Sequence, residues 1–328
     1  MPELPEVEVV RAGLEPAVTG ALITGVEVFD DRSLKRHSPL AGPFADGLTG
    51  HRMLAAVRRG KFLWFPLSSG RALVTHLGMS GQVLLRVPGH PETALLRIRL
   101  SIEHPSLGEH WVNFVDQRIF GSMAVDTLVP TPDGAPAGYS GPGLAGAHLS
   151  APAAARPSDE ADPTAPVLAP TWLASIPSQV AHIARDPLDP FFDERTFFAA
   201  LKSKKTGIKR ALLDQTLISG VGNIYADEAL WAARLHYAQP TATLSPRRAR
   251  TLLAEIRLVL SKALAEGGTS FDSTYVNVNG ASGYFSHSLN AYGQQGKPCP
   301  RCGHLITRES FMNRSSHFCP HCQRLRLA

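Results

Sequence analysis

The chain has 328 residues, of which 33 are Lys or Arg and 28 are Asp or Glu, and a formal net charge of +5 at pH 7. That length points to two domains with room for a small third module, and a hydrophobic content of 44% is enough for sizeable cores. No run approaches the roughly 18 uninterrupted apolar residues that a membrane span needs. The amino terminus lacks the basic-then-apolar pattern of a secretory signal, so the expected compartment is the reducing cytoplasm. There, four cysteines are expected as metal ligands and not as disulfides. The positive balance suits a polyanionic partner and equally a basic protein that binds none.

Near the amino terminus, PEVEVVRAGLEPAV predicts a helix. Pro5 sits near its first position, where a missing N–H costs nothing; Val7, Val10 and Leu14 share one face; Gly13 and Pro16 end it near residue 15. Residues 21–126 read mainly as strands, in short apolar or alternating runs such as LITGVEVF, RRGKFLWFPL, TALLRIRLSI and HWVNFVDQRIFGSMAVD. Strands without intervening helices predict an antiparallel sandwich or barrel. From 130 to 170 the composition changes: 25 of 41 residues are Pro, Ala or Gly, which predicts a flexible linker. From about 191 to 266, FFDERTFFAALKSK, GIKRALLDQTL, NIYADEALWAARL and SPRRARTLLAEIRLVLSKALAEG show helical spacing, with Ser245-Pro246 as a cap and Gly267 as a stop.

The strongest local signal is CPRC at 299–302, then sixteen residues, then CPHC at 319–322. This is the spacing of a four-thiolate zinc site, with Cys299, Cys302, Cys319 and Cys322 as ligands. All four positions are filled by sulfur, so the metal is expected to be structural. His304, His317 and His321 are alternative ligands, read as bystanders. Five arginines around the hairpin suit phosphate contact or a solvated basic surface.

A second signal is ISGVGN, between two helical patterns. Gly220 and Gly222 permit a tight backbone, and Asn223 falls at or near a helix N-cap. Free N–H groups there could hold a phosphate, or the turn could simply join two helices. Lys61, in RRGK, could reach a phosphate or a reacting sugar, or lie solvated at a strand edge. The opening MPELPEVE could be an acidic helix cap. It could also present Pro2 as a secondary amine once Met1 is removed. An α-amino group titrates near 7.7–8.0, so a neutral fraction able to attack C1′ of a sugar exists near pH 7, with Glu3 moving protons beside it.

MPELPEVE, RRGKFL, THLGMSG, DQRIFG, SGVGNIYADEALW, GYF and the cysteine tail occur in this order. Together they resemble the formamidopyrimidine-DNA glycosylase family, over nearly the whole chain except about 130–190. The resemblance implies an α+β fold: an N-terminal helix and β-sandwich, a helical domain with a helix–two-turns–helix motif, and a C-terminal zinc-finger β-hairpin. The expected division is 1–129 for a catalytic sandwich domain, 130–170 for the linker, 171–290 for the helical DNA-binding domain and 291–328 for the zinc hairpin. It implies Pro2 as the nucleophile that forms a Schiff base, and Glu3 as the acid assisting sugar opening, with Glu6 in support. Lys61 matches the proton donor of β-elimination and Arg314 a phosphate-contacting residue linked to δ-elimination. Lys204 and Asn223 match backbone contacts, and His76 a contact beside the lesion. Met79, Arg118 and Phe120 match the trio that fills the gap left by an extruded nucleotide, although alone Met79 and Phe120 read as sandwich core. The implied cofactor is one structural zinc ion, and the implied partner is duplex DNA carrying oxidised bases or abasic sites, bound by a monomer in the cytoplasm at the nucleoid.

The chain also departs from the pattern. The common DPRRFG reads DQRIFG at 116–121, which puts Ile119 where a second arginine is usual. A histidine-rich stretch is replaced by PETALLRIRL, with only His90 and Thr93 nearby. FDSTYVNVNGASGYF corresponds to the loop over the extruded base. Leu4 and Arg118 favour the oxidised-purine branch over an endonuclease VIII-like enzyme for oxidised pyrimidines. Rival readings from other classes are a non-catalytic damaged-DNA-binding zinc protein and an RNA-binding zinc protein.

Overall fold

The computed structural model describes residues 2–141, 170–268 and 288–326. The predicted linker from 142 to 169 and the stretch FDSTYVNVNGASGYF lie outside them. Among the described residues, no helix is long and apolar enough to cross a membrane.

Helix α1 (Leu4–Val18) opens with Pro5 in its first turn and a reciprocal capping box between Glu3 and Glu6. It runs past the predicted end near residue 15, with Pro16 inside it. Ala17 and Val18 are buried, and their packing outweighs the hydrogen bond that the proline removes.

Nine strands follow in two antiparallel sheets. β1 (Leu22–Val28), β5 (Gly81–Arg86), β6 (Leu96–His104) and β7 (Gly108–Asp116) pair in the order β1-β6-β7-β5. β2 (Val57–Arg59), β3 (Phe62–Pro66), β4 (Arg71–His76), β8 (Ser122–Pro130) and β9 (Ser175–Pro177) pair in the order β2-β3-β4-β8-β9. The strand period of two sends Ile98, Leu100 and Ile102 of β6 to the interior, where they share a core with Leu63, Phe65, Leu73 and Val125 of the other sheet. Val7, Val10 and Leu14 of α1 join the same core.

The five-stranded sheet is covered on its other face too, which is why β3 reads as a continuous apolar run. Val57, Trp64 and Val74 pack there against Ala137, Ile176, Val180 and Ile183. The linker expected from 130 therefore does not begin there. Tyr139 and Arg58 exchange backbone hydrogen bonds, each 2.8 Å. Gly138 lies so close that an added Cβ would meet the Trp64 ring at 2.8 Å. Ser175–Pro177, expected to open the helical domain, is an edge strand of the sandwich instead. Small residues carry no burial signal in composition, yet they fit where chain crosses a sheet closely.

The helical part comprises α2 (Glu194–Ser203), α3 (Ile208–Leu212), α4 (Asn223–Ala232) and α5 (Pro246–Ala265). Ser245 caps α5 by accepting the Arg248 N–H. The core of this part takes in Leu4 of α1 beside Ile218, Val221 and Tyr225. Helix α1 thus belongs to two cores and fixes the amino terminus at the junction. Finally β10 (Thr307–Phe311) and β11 (Arg314–Phe318) form a hairpin. Met312 and Asn313 turn it with φ of 46° and 59°, the two-residue turn whose twist suits the flanking strands.

Candidate active site

Pro2 and Glu3 are buried where the two cores meet. The Glu3 carboxylate accepts hydrogen bonds from the N–H groups of Gly222 (2.6 Å), Ile224 (2.9 Å) and Tyr225 (3.4 Å). It therefore occupies the positive end of α4, where the sequence suggested a phosphate. Gly222, and not Asn223, is the N-cap, and its glycine is explained by contact: an added Cβ would lie 2.3 Å from Glu3 Cδ. Glu6 accepts the Glu3 N–H at 2.8 Å and the Tyr225 hydroxyl at 2.6 Å.

Lys61 lies in the turn between β2 and β3, and Arg314 opens β11. Burial lowers the Lys61 ammonium below the usual lysine range, opposed by the Glu3 carboxylate and reinforced by the Arg314 charge. Burial raises the Glu3 carboxyl, against the charge of Lys61 and the donors at α4. The two groups are thus pulled toward each other in acidity, as an acid–base pair working near neutrality requires. The loop bearing Lys61 is held by buried Arg58. This guanidinium donates to Glu8 Oε2 (2.9 Å), Asp186 Oδ2 (2.9 Å) and the Gly60 carbonyl (3.2 Å).

His76, at the end of β4, is half-buried. Its Nδ1 accepts the Gly78 N–H at 3.2 Å, so the ring proton sits on Nε2. Burial, together with the charges of Arg36, Lys61 and Lys35, lowers it to about 4.

Met79 and Phe120 are not sandwich core: they are 44% and 52% exposed, on two neighbouring loops. Arg118 is exposed beside them. The loops press together so tightly that a Cβ on Gly78 would meet the Phe120 carbonyl carbon at 2.4 Å. Asp116 ties them by accepting from Ser80 Oγ (2.5 Å), Arg118 N–H (3.1 Å) and Gly121 N–H (2.7 Å). Ile119 adopts φ of 56°, unusual for a β-branched residue, and its carbonyl accepts from Lys35 Nζ at 2.9 Å. Two apolar side chains and a guanidinium thus project on a braced support.

Lys204 forms an ion pair with Asp214 at 2.7 Å, and Asn223 Nδ2 donates to the Ser315 carbonyl at 3.2 Å. In the sequence Lys209 stands among Lys202, Lys204, Lys205 and Arg210, just upstream of ISGVGN. The structure buries it completely, paired with Asp227 at 2.6 Å and donating to Ser315 O and Ser316 Oγ. Asp227 also accepts the His317 N–H at 2.9 Å. This pair locks β11, and with it Arg314, against α3 and α4. The pairing partner stands 18 residues downstream on the next long helix, a separation at which no local spacing rule applies.

The four cysteine sulfurs lie within 4.8 Å of one another, Cys299 and Cys319 being buried. A tetrahedral zinc with Zn–S near 2.3 Å sets sulfurs roughly 3.8 Å apart, so four thiolates clustered this closely fit the ion. Trp231 Nε1 and the Cys322 N–H donate to sulfurs at 3.4 Å each, supporting the ligands from outside.

Comparison with known proteins bears on all three parts. Residues 1–123 match the formamidopyrimidine-DNA glycosylase N-terminal domain, 183–274 the H2TH domain of the same proteins, and 296–325 the zinc finger found in FPG and IleRS. The formamidopyrimidine-DNA glycosylase of Leifsonia xyli subsp. xyli is 64% identical over 99% of this chain and 100% of the relative. That of Thermobifida fusca is 51% identical over 98% and 97%. Among solved structures, the Lactococcus lactis Fpg in complex with DNA containing an abasic site is similar with a TM-score of 0.72, 28% identity and coverage of 98% and 99%. The MutM (Fpg) protein of Thermus thermophilus gives a TM-score of 0.72 and 31% identity over 99% and 100%. With its sandwich, its helical part and its cysteine hairpin each matched in order along the whole length, the chain belongs to the formamidopyrimidine-DNA glycosylase family.

Proposed function

We propose that the protein removes oxidised purines, formamidopyrimidines and 8-oxoguanine, from duplex DNA and then nicks the abasic strand by β,δ-elimination. The observation that carries this is the burial of Pro2 and Glu3 at the end of α4, with the charge of Lys61 acting on Glu3 and that of Arg314 on Lys61. Chemistry at C1′ needs the nucleotide out of the stack and the vacancy filled. Met79 and Phe120 have the exposure and the bracing of a wedge, and Arg118 can hydrogen-bond the widowed base.

In this mechanism the freed Pro2 amine attacks C1′, the glycosidic C–N bond breaks and the base leaves with a proton. Glu3, its carboxyl raised in pKa by burial, supplies and takes protons as the sugar opens and the iminium forms. Lys61, lowered by the same burial, serves proton transfer as the strand is cleaved. Arg314 stabilises phosphate charge as the second phosphate departs. Lys204 and Asn223 hold the DNA backbone, and His76 presents a neutral Nε2–H donor beside the lesion. Zinc, when bound, contributes no chemistry in its closed tetrathiolate; the cysteines hold the hairpin that carries Arg314. The sandwich part runs on through Ser175–Pro177, the helical part follows, and the cysteine hairpin starts near 291, with a monomer gripping bent duplex DNA between sandwich and helices. We assign its place of action to the cytoplasm, at the nucleoid.

The test is borohydride trapping on duplex DNA with one 8-oxoguanine opposite cytosine, with mass mapping of the adduct. A covalent complex at Pro2 is expected, and Pro2→Gly is expected to keep lesion binding while losing the trap. Trapping only on an oxidised pyrimidine moves the protein to the endonuclease VIII-like reading. Tight binding without any adduct on any lesion or abasic site, by protein whose intact mass shows Met1 removed, refutes the enzyme.

A further inference from the structure

Away from the reacting residues, the two cysteine knuckles bring together a second set of metal donors. His304 lies two positions after Cys302, and His321 stands between Cys319 and Cys322. Distant in sequence, they meet because the four sulfurs draw the knuckles face to face. Their imidazole rings stack with centroids 4.1 Å apart and planes 6° from parallel. A ring nitrogen of each and the Cys302 sulfur all lie within 4.8 Å of one another. The backbone fixes this placement: the Cys299 N–H donates to the His304 carbonyl at 2.7 Å and the Gly303 N–H to the Cys299 carbonyl at 2.9 Å. Gly303 takes the positive φ of 77° that the first knuckle needs. Both histidines are exposed, whereas Cys302 is half-buried beneath them.

We propose that His304 and His321 form a second metal site, for a borderline divalent ion such as Ni2+, Co2+ or Zn2+, with Cys302 Sγ as a shared third donor. Imidazole nitrogen suits these ions, while the all-sulfur set retains the structural zinc. Four thiolates around one zinc leave that cluster net negative, so its sulfurs stay attractive to a second cation on the outer side. Parallel rings direct their lone pairs side by side, so binding rotates each ring about its Cβ–Cγ bond until the nitrogens converge. Exposure permits that rotation without disturbing a core. The remaining coordination positions face water, which makes this ion exchangeable where the tetrathiolate ion is enclosed.

The experiment dialyses tag-free, zinc-loaded full-length protein to equilibrium against micromolar Ni2+ and counts both metals by elemental mass spectrometry. One zinc and one nickel per chain are expected, with a sulfur-to-nickel charge-transfer band in the near ultraviolet. The double variant His304→Ala, His321→Ala is expected to keep its zinc and its lesion excision while losing the nickel. The proposal is overturned if the wild type takes up no nickel, or if the double variant takes up as much through others of the 13 histidines. It is equally overturned if nickel enters only as zinc leaves.

Discussion

Gly222→Ala isolates what the turn before α4 does. Gly222 has φ −127° and ψ −158°, extended values open to alanine, so the substitution strains no backbone. The new Cβ would stand 2.3 Å from Glu3 Cδ and 2.5 Å from Oε1, so the carboxylate has to withdraw. Its shortest bonds, from the Gly222 and Ile224 N–H groups at 2.6 and 2.9 Å, are charge-assisted, each contributing about 1.5–3 kcal/mol. Loss of one from the reacting arrangement corresponds to a roughly 10- to 150-fold slower chemical step. Single-turnover borohydride trapping at saturating enzyme measures that rate, and fluorescence anisotropy measures duplex affinity separately. The expected result is a slower trap with affinity essentially unchanged. An unchanged trapping rate would refute the role given to the Glu3 seat. Weaker DNA binding with a normal saturated rate would instead make the turn a phosphate holder.

Three further outcomes follow from the same geometry. Lys209→Met leaves buried Asp227 without its ammonium partner, held only by His317 among the described residues, so urea unfolding should show a loss of up to about 3–5 kcal/mol. Adding Asp227→Leu should recover much of it, and additive losses in the double-mutant cycle would count against the pair. His76 takes a proton only at about 4 in the folded chain and near 6.5 unfolded. The unfolded state therefore binds more protons between these values, and stability should fall as pH drops through that window. The His76 ring resonances, followed by NMR, should not titrate above about pH 5; a midpoint near 6.5 would contradict the buried neutral ring. Ile119→Gly removes the cost of a β-branched side chain in a left-handed conformation, about 1–2 kcal/mol. Its melting temperature should rise by a few degrees, at roughly 2–4 °C per kcal/mol, and a fall would show that the side chain's packing outweighs the strain.

Much of the architecture was legible because it is written at short range. Pro5 with the Val7, Val10, Leu14 spacing marks α1, Ser245-Pro246 marks the start of α5, and the two cysteine pairs mark the hairpin. What escaped depends on contacts between distant residues. Glu3 meets its donors 219 to 222 residues along the chain, and no window of sequence contains both. Met79 and Phe120 have the composition of core residues; only the bracing of their loops by Asp116 turns them outward. Ala137 and Tyr139 look like linker in composition, and they pack because Trp64 and Arg58 leave a surface for them. Lys209 reads like its basic neighbours until Asp227 is brought beside it.

The seat of Glu3 also sets a timetable. Its three donors lie at residues 222, 224 and 225, so Pro2 cannot be enclosed until two-thirds of the polypeptide has been made. At about 5–20 residues per second, synthesis leaves the terminus open for on the order of ten to forty seconds. In the proposed mechanism the Pro2 amine is freed by excision of Met1, which would have that interval in which to act on an accessible nascent chain. Afterwards the peptidase would have to compete with a folded protein in which Pro2 and Glu3 are buried. Slow processing during overexpression should therefore leave a stable, folded and chemically silent fraction that no later treatment readily converts.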